Sequence, residues 1–309
     1  YLNGMMRHDD GTKVSKSDPR PGDDPVEVID KYGADALRFM IATGSSPGND
    51  MKLVWPRLES ARNFANKLWN ASRFTVEAVA AAEADPAAPT STDRWILGRL
   101  DHVVAETTRL LGEFHFGQAG RLINSFLWDE FCDWYIEASK ARLRGGDPAS
   151  AARAAETLLE VLGTSLRLLH PYMPFVTEEI WSHLRSLRPE IGAEHIIVAA
   201  WPQDGGRGND PAVEQISRMA EVVRAVRNAR REAGVPAGNW VEVVVRPKDQ
   251  QVVLVQEAEF VTRLARVKPL RVMADGEAPP EKAISLVAGK MEVFLPLEGM
   301  VDLDAERER

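Results

Sequence analysis

The sequence predicts a mainly α protein in which an antiparallel helical bundle stands between an amino-terminal αβ stretch and a small α/β domain. Three observations predict this. Apolar residues recur at helical spacing from Asp93 to Leu187, turn-rich segments at Ala84–Ser91 and Gly205–Pro211 bound that region, and short strand-like runs begin at Trp240. With 309 residues and 44% hydrophobic content the chain can bury a sizeable core. The expected domains are 1–84, 91–204 and 210–309.

In order, Tyr1 to Arg7 reads as the end of a strand entering a loop that contains Lys13-Val14-Ser15-Lys16-Ser17. Asp24-Pro25 then starts a helix whose buried stripe is expected at Val26, Ile29 and Tyr32, with Gly33 ending it. From Asp35 to Thr43 a second helix is expected to bury Ala36, Leu37, Phe39, Met40 and Ile41. Arg38 among them is either pinned by Asp35 at i−3 or aimed at a phosphate. A dense turn cluster spans Gly44–Asp50, followed by an extended Met51–Val54.

Pro56 to about Ala82 forms one long helix with an apolar stripe at Leu58, Ala61, Ala65, Leu68 and Ser72. Arg62, Asn66 and Arg73 share another face, flanked by Asn63, Lys67 and Asn70, with no acid between Glu59 and Glu77. A solvated face is the plain alternative, but amides and cations without acids suit a ribose-phosphate backbone.

The bundle helices are expected at Asp93–Phe114, Gly117–Leu143, Pro148–Leu169 and Pro174–Leu187. His170 reads as a capping or core histidine, and Trp128, Trp134 and Tyr135 as core aromatics. Beyond Pro211, a helix from Ala212 to Glu232 carries five arginines against two glutamates between Gln215 and Glu232. Arg224, Arg227 and Arg231 fall on one face, either to ride a nucleic-acid backbone or to pair with carboxylates of a neighbouring domain. Trp240–Arg246, Leu270–Met273, Ile284–Val287 and Met291–Leu295 read as strands, Gln256–Arg266 as a helix, and 302–309 as the start of a helical or coiled-coil extension.

Composition narrows the function. One cysteine, Cys132, excludes a disulfide framework and a Cys-x-x-Cys zinc site and fits a reducing cytoplasm. No run approaches the roughly 18 apolar residues of a membrane span. A net charge of −8 means that an RNA partner must be met by local basic faces. The chain opens on Tyr1 without a charged-then-apolar leader, and a fragment or isolated portion is expected.

The lysine pentapeptide followed by Gly33-Ala34-Asp35-Ala36-Leu37-Arg38-Phe39 resembles the Lys-Met-Ser-Lys-Ser region of class I aminoacyl-tRNA synthetases. Arg62–Asn70, Trp128–Tyr135 and His170–Trp181 follow in the order found in the valine-specific branch. The resemblance runs over essentially the whole chain and covers the carboxyl-terminal part of those enzymes, from the lysine loop through the anticodon-binding domain to just before a coiled coil.

It implies the end of a Rossmann-type catalytic domain, a helical-bundle anticodon-binding domain and a small α/β domain. The activity implied is ATP-dependent joining of valine to its tRNA, with magnesium–ATP as a substrate. Lys13 and Lys16 match the signature lysines that neutralise developing phosphate charge, Lys16 being the better candidate for direct contact, and Ser15 and Ser17 match the two serines of the nucleotide site. The tRNA contacts implied are Arg62, Asn63, Asn66, Lys67, Asn70 and Arg73, with Arg224, Arg227 and Arg231.

Val14 stands where methionine is usual, and Asp18–Asp24 departs from the usual continuation of the loop. A second family signature, His-x-Gly-His, is matched by none of the six histidines at 8, 102, 115, 170, 183 and 195. The valine pocket is upstream in that family. The chain is therefore expected to be inactive alone, cytoplasmic and monomeric, without a bound metal of its own. Isoleucine-specific enzymes commonly end in a cysteine-bound zinc module, which one cysteine argues against. A free-standing tRNA-binding module and a helical interaction scaffold are the alternatives of other classes.

Overall fold

The structure is a computed structural model that describes residues 4–8, 10–15, 17, 20, 23–44, 48–236, 238–274 and 276–296. Helices hold 64% of the described residues and the sheets are small, so the mainly α class stands. The chain divides into two compact units, Tyr1–Asn209 and Asp210–Arg309. The expected extension at 302–309 lies outside the described residues.

The first unit opens with β1 (Met6–Arg7), which pairs in parallel with β2 (Met51–Lys52). A parallel pair needs a crossover. Two helices supply it, α1 (Pro25–Tyr32) and α2 (Ala34–Gly44). Asp24 caps α1 by accepting from the Val26 amide at 2.9 Å, and Gly33, at φ 91°, turns the chain into α2. Burial here differs from the expected stripe. Val28 is the buried residue of α1, packed with Met40, Met51, Leu53 and Leu58, whereas Val26 is 61% exposed. An eight-residue helix that docks along one edge buries the Val28/Tyr32 line, and Val26 lies around the cylinder from it. Ile29 and, on α2, Ile41 are likewise exposed rather than buried.

Asp35 does not pin Arg38. Its carboxylate accepts from the amides of Phe175 (3.2 Å) and Val176 (2.7 Å), the first turn of α8 (Pro174–Leu187). Arg38 instead donates from Nη2 to the Pro171 carbonyl at 3.1 Å. The orphan amides of α8 thus receive their acceptor from a distant helix, because the residue before Pro174 gives no side-chain cap.

From Trp55 to Ala80 runs α3. It buries Leu58, Ala61, Phe64, Leu68, Ala71, Ser72, Thr75 and Val79, so Phe64 rather than Ala65 carries the middle of the stripe. Ser72 and Thr75 satisfy their buried hydroxyls on the carbonyls of Leu68 and Ala71. The bundle continues with α4 (Ser91–Gly112), α5 (Phe116–Ser125), a π-helical stretch (Phe126–Ile136), α6 (Glu137–Arg144) and α7 (Pro148–Leu169). The helix expected over Gly117–Leu143 is therefore present with a widened middle. There the i→i+5 hydrogen bonding puts Phe126, Phe131 and Ile136 on one buried face. Trp134 and Tyr135 are core, and His170 caps α7 with Nδ1 2.7 Å from the Thr177 hydroxyl.

Asp93 is the polar centre of the bundle's far end. It closes a capping box with Thr90, accepts from the Tyr135 hydroxyl at 2.6 Å and takes the Arg142 guanidinium at 2.7 and 2.9 Å, all while fully buried.

The second unit begins with α9 (Pro211–Glu232), capped by Asp210. It continues through β3 (Val241–Arg246), α10 (Gln251–Gln256), α11 (Ala258–Ala265), β4 (Val267–Val272), β5 (Ala283–Ala288) and β6 (Met291–Pro296). The sheet order is β4-β3-β6-β5, with β3 and β4 parallel and the other pairs antiparallel. α10 and α11 are the crossover that the parallel pair requires. Val243, Val245, Val293 and Leu295 are fully buried strand residues, as are Ile216, Met219, Val222 and Val226 of α9.

The two caps differ in burial, and stability should register it. Asp93→Ala leaves a guanidinium and a phenol without their acceptor and should lower unfolding free energy by about 3 kcal/mol or more. Asp35→Ala removes a cap at the surface and should lower it by about 1 kcal/mol. Chemical denaturation of both variants checks this, and equal losses would contradict the assigned roles.

Candidate nucleic-acid interface and nucleotide loop

The lysine segment folds back on β1. Val14 donates its amide to Met6 at 3.0 Å and Lys13 forms a bridge with Arg7. Asp10 shapes the preceding turn by accepting from the Thr12 amide (2.9 Å) and hydroxyl (2.6 Å), with Arg20 2.8 Å from its other oxygen. The Thr12 hydroxyl, then Arg20, hold that carboxyl well below the usual carboxylate range. Lys13 and Ser17 are exposed, Val14 and Ser15 half-buried, and the Ser15 and Ser17 hydroxyls lie 2.8 Å apart. Lys16 lies outside the described residues. Val14 has its backbone anchored to β1, so the loop leaves the sheet with Lys13 pointing to open solvent.

On α3, Arg62, Asn63, Asn66, Asn70 and Arg73 are all exposed along one side. At 1.5 Å per residue the row from Asn63 to Arg73 spans about 15 Å. Neither Arg62 nor Arg73 forms an ion pair with another described residue. Lys67 is different. Its Nζ is 2.7 Å from Asp133 and 3.9 Å from the centre of the Trp128 ring. Trp128 and Asp133 stand five apart on the π-helical stretch, so its wider turn makes them one cage for that ammonium. The expected RNA contact at Lys67 is therefore corrected: its charge is engaged inside the protein.

Two hollows flank the row. A cleft of about 670 Å³ at its amino end is lined by Arg57, Asn63, Arg121, Asn124 and Trp128. A groove of about 290 Å³ at its carboxyl end is lined by Trp69, Arg73, Ile180 and His183. Sequence reasoning missed Arg57 and Arg121, because they sit on different helices and only packing brings them to one cleft. Arg121 is oriented there by donating to the Thr43 carbonyl at 2.5 Å.

On α9, Arg224, Arg227 and Arg231 are exposed. The rest of that arginine cluster serves the fold. Arg230 is buried and donates to the carbonyls of Ala265, Asn239 and Pro236, and Arg218 is held by Gln250 and Glu214. Arg227 adds a bond of 2.8 Å to the Leu264 carbonyl. Among the described residues no cluster of three His, Cys, Asp or Glu side chains is placed to hold a metal ion, and no helix is long and apolar enough to cross a membrane.

Comparison with known proteins gives these surfaces a family. A family model described as "Anticodon-binding domain of tRNA ligase" matches residues 93–245, and one described as "tRNA synthetases class I (I, L, M and V)" matches residues 1–54. The valine–tRNA ligase of Dehalococcoides mccartyi (strain 195) is 44% identical over 317 aligned positions, that of Oceanobacillus iheyensis 40% over 315 and that of Bacillus cereus (strain ATCC 10987) 41% over 315, each alignment covering 100% of this chain. The chain belongs to the valine–tRNA ligase family. It spans 35% of the length of those relatives. A solved leucyl-tRNA synthetase complex from Agrobacterium radiobacter K84 is 20% identical with a TM-score of 0.48, covering 69% of this chain and 24% of its own. Class I synthetases use ATP.

Cys132 lies on the π-helical stretch beside Asp133, and burial pushes its thiol up to about 12. A free cysteine titrates near 8.5. At pH 8 the native thiol should react with Ellman's reagent at least about 100-fold more slowly than in the denatured chain. Equal rates would mean that the π-helical stretch does not bury it.

Proposed function

We propose that this chain is the tRNA-contacting and ATP-loop portion of a valine–tRNA ligase. The observation that carries the reading is similarity along the whole of this chain to part of the valine–tRNA ligases, joined to an exposed row of cations and amides on α3. The anticodon-binding match over residues 93–245 supports tRNA as the partner.

In the whole ligase the valine carboxylate attacks the α-phosphorus of ATP, pyrophosphate leaves, and the acyl group then passes to the terminal ribose of tRNA. The reaction needs positioning and charge neutralisation more than a protein nucleophile. Lys13 and Lys16 bring two ammonium groups to the triphosphate as negative charge shifts to the leaving pyrophosphate, and Ser15 and Ser17 offer hydroxyls to its oxygens. Magnesium, carried in on the triphosphate, supplies further neutralisation. Arg62, Asn63, Asn66, Asn70 and Arg73 hold a ribose-phosphate backbone along α3, and the bundle from Asp93 to Leu187 carries the anticodon. The reading assigns these 309 residues a share of the reaction, in a cytoplasmic, monomeric enzyme, because valine binding and the His-x-Gly-His signature belong to sequence they do not contain.

Two sets of substitutions test it. In the full-length ligase, Lys16→Ala should slow adenylate formation by about 100-fold or more while tRNA affinity stays within about twofold, since the lysine acts on transition-state charge. An unchanged rate would remove Lys16 from its role. Arg62→Glu with Arg73→Glu should weaken tRNA binding by about tenfold or more and flatten its salt dependence, whereas Lys67→Met should do less. A larger loss from Lys67→Met would overturn the assignment of the α3 face.

A further inference from the structure

At one end of the second unit three guanidinium groups gather around a small set of carbonyls. Arg227 donates to Leu264 and Arg230 to Ala265, the last residues of α11, where carbonyls lack helical partners and the helix dipole is negative. Arg230 also donates to Asn239 at 2.7 Å and to Pro236 at 3.3 Å, and Arg266 donates to Gly238 at 3.2 Å. The carbonyls of α11 and of Pro236, Gly238 and Asn239 thus hold like charges together. Arg230 feels this: after burial, Arg266 and Arg227 are the causes that push its pKa below the usual arginine value.

Two further features mark the same place. Arg266 has φ 52° at the carboxyl cap of α11, a left-handed position that glycine ordinarily fills. An arginine kept there carries backbone strain, and strain of this kind gathers at functional sites. Trp240 is 54% exposed at the start of β3. Its neighbour Val241 donates to the Arg266 carbonyl at 3.1 Å and pairs with Val267, so Trp240 and Arg266 enter adjacent parallel strands side by side.

We propose that this end of the second unit is a single-stranded RNA site, in which an unpaired base stacks on Trp240 and the adjoining phosphate lies against Arg266 and Arg227. A planar guanidinium fork matches a phosphate in geometry and charge, and an exposed indole accepts any base by its π-face. RNA, with unstacked bases in loops and at ends, offers both groups in one nucleotide step. The buried Arg230 fixes the carbonyl framework behind them. The proposal rests on the reading of this chain as tRNA-binding and gives the small domain its own share of the tRNA, distinct from the α3 face.

The test is an anisotropy titration of the 309-residue chain with valine tRNA at two salt concentrations, using Trp240→Ala, Trp240→Phe, Arg266→Gly and, as a control, Arg62→Glu with Arg73→Glu. Trp240→Ala should weaken binding by about fivefold or more with an unchanged salt slope, because stacking is not ionic. Trp240→Phe should stay within about twofold of the parent. Arg266→Gly, which suits the positive φ and so spares the fold, should weaken binding and lower the salt slope by about one. If Trp240→Ala and Arg266→Gly bind like the parent while the α3 control weakens, the small-domain site is overturned and tRNA binding by the chain stands. If the parent chain shows no salt-sensitive tRNA binding, both fail.

Discussion

Asp35 accepts the first amides of α8, and through that contact the segment carrying the lysine loop is tied to the helical bundle. Apolar packing runs through the same join. Phe39 lies 5.4 Å from Phe64 of α3 and 6.2 Å from Tyr172, measured between ring centres. Gly120 lets α5 approach so closely that a Cβ there would meet Thr43 at 2.6 Å and the Tyr172 ring at 2.9 Å. These contacts link α2, α3, α5 and α8. The α3 face and the β1–β2 pair from which Lys13 departs are thereby parts of one packed unit.

The electrostatics follow a division of labour within an acidic chain. Many cations are committed to the fold: Arg142 to Asp93, Arg207 to Asp101 and Glu160, Arg99 to Glu130, Lys67 to Asp133 and Trp128. The Asp93 and Asp101 carboxylates are almost wholly buried, where an unpaired charge is costly, so their partners cannot serve a ligand as well. Arg62 and Arg73 project from α3 into solvent, where an isolated cation contributes little to stability. That leaves both guanidinium groups open to the RNA backbone the proposed function assigns to them. Net charge describes the whole surface, whereas the α3 row is a local concentration of cations within it.

Much of this was legible in the sequence. The long helices α3, α4, α7 and α8 show clear apolar periodicity and strong punctuation by Pro, Asp and Gly, and their ends fall within a few residues of expectation. The α3 face was legible too, since exposure of Arg62, Asn66 and Arg73 follows from 3.6-residue geometry. What failed needed tertiary information. An eight-residue α1 has too few turns for its stripe to be unambiguous, so periodicity alone does not distinguish Val26 from the buried Val28. Asp35 lay one turn from Arg38, and nothing local pointed to amides about 140 residues away. Lys67 carries the same signal as its neighbours until the π-helical stretch, which has no sequence mark, brings Trp128 and Asp133 together. Arg230 looks like any surface arginine until the carbonyl end of α11 packs against it. Of the nucleotide loop, Lys13 and its anchoring to β1 are in view, while Lys16 lies outside the described residues.

The central claim is that this chain recognises valine tRNA through its helical bundle. It is tested most directly by titrating the 309-residue chain with valine tRNA and with the same tRNA carrying altered anticodon bases, each at two salt concentrations. The account predicts salt-sensitive binding that is weaker for the altered anticodon. Equal affinity for the two tRNAs, or no binding to either, would contradict it.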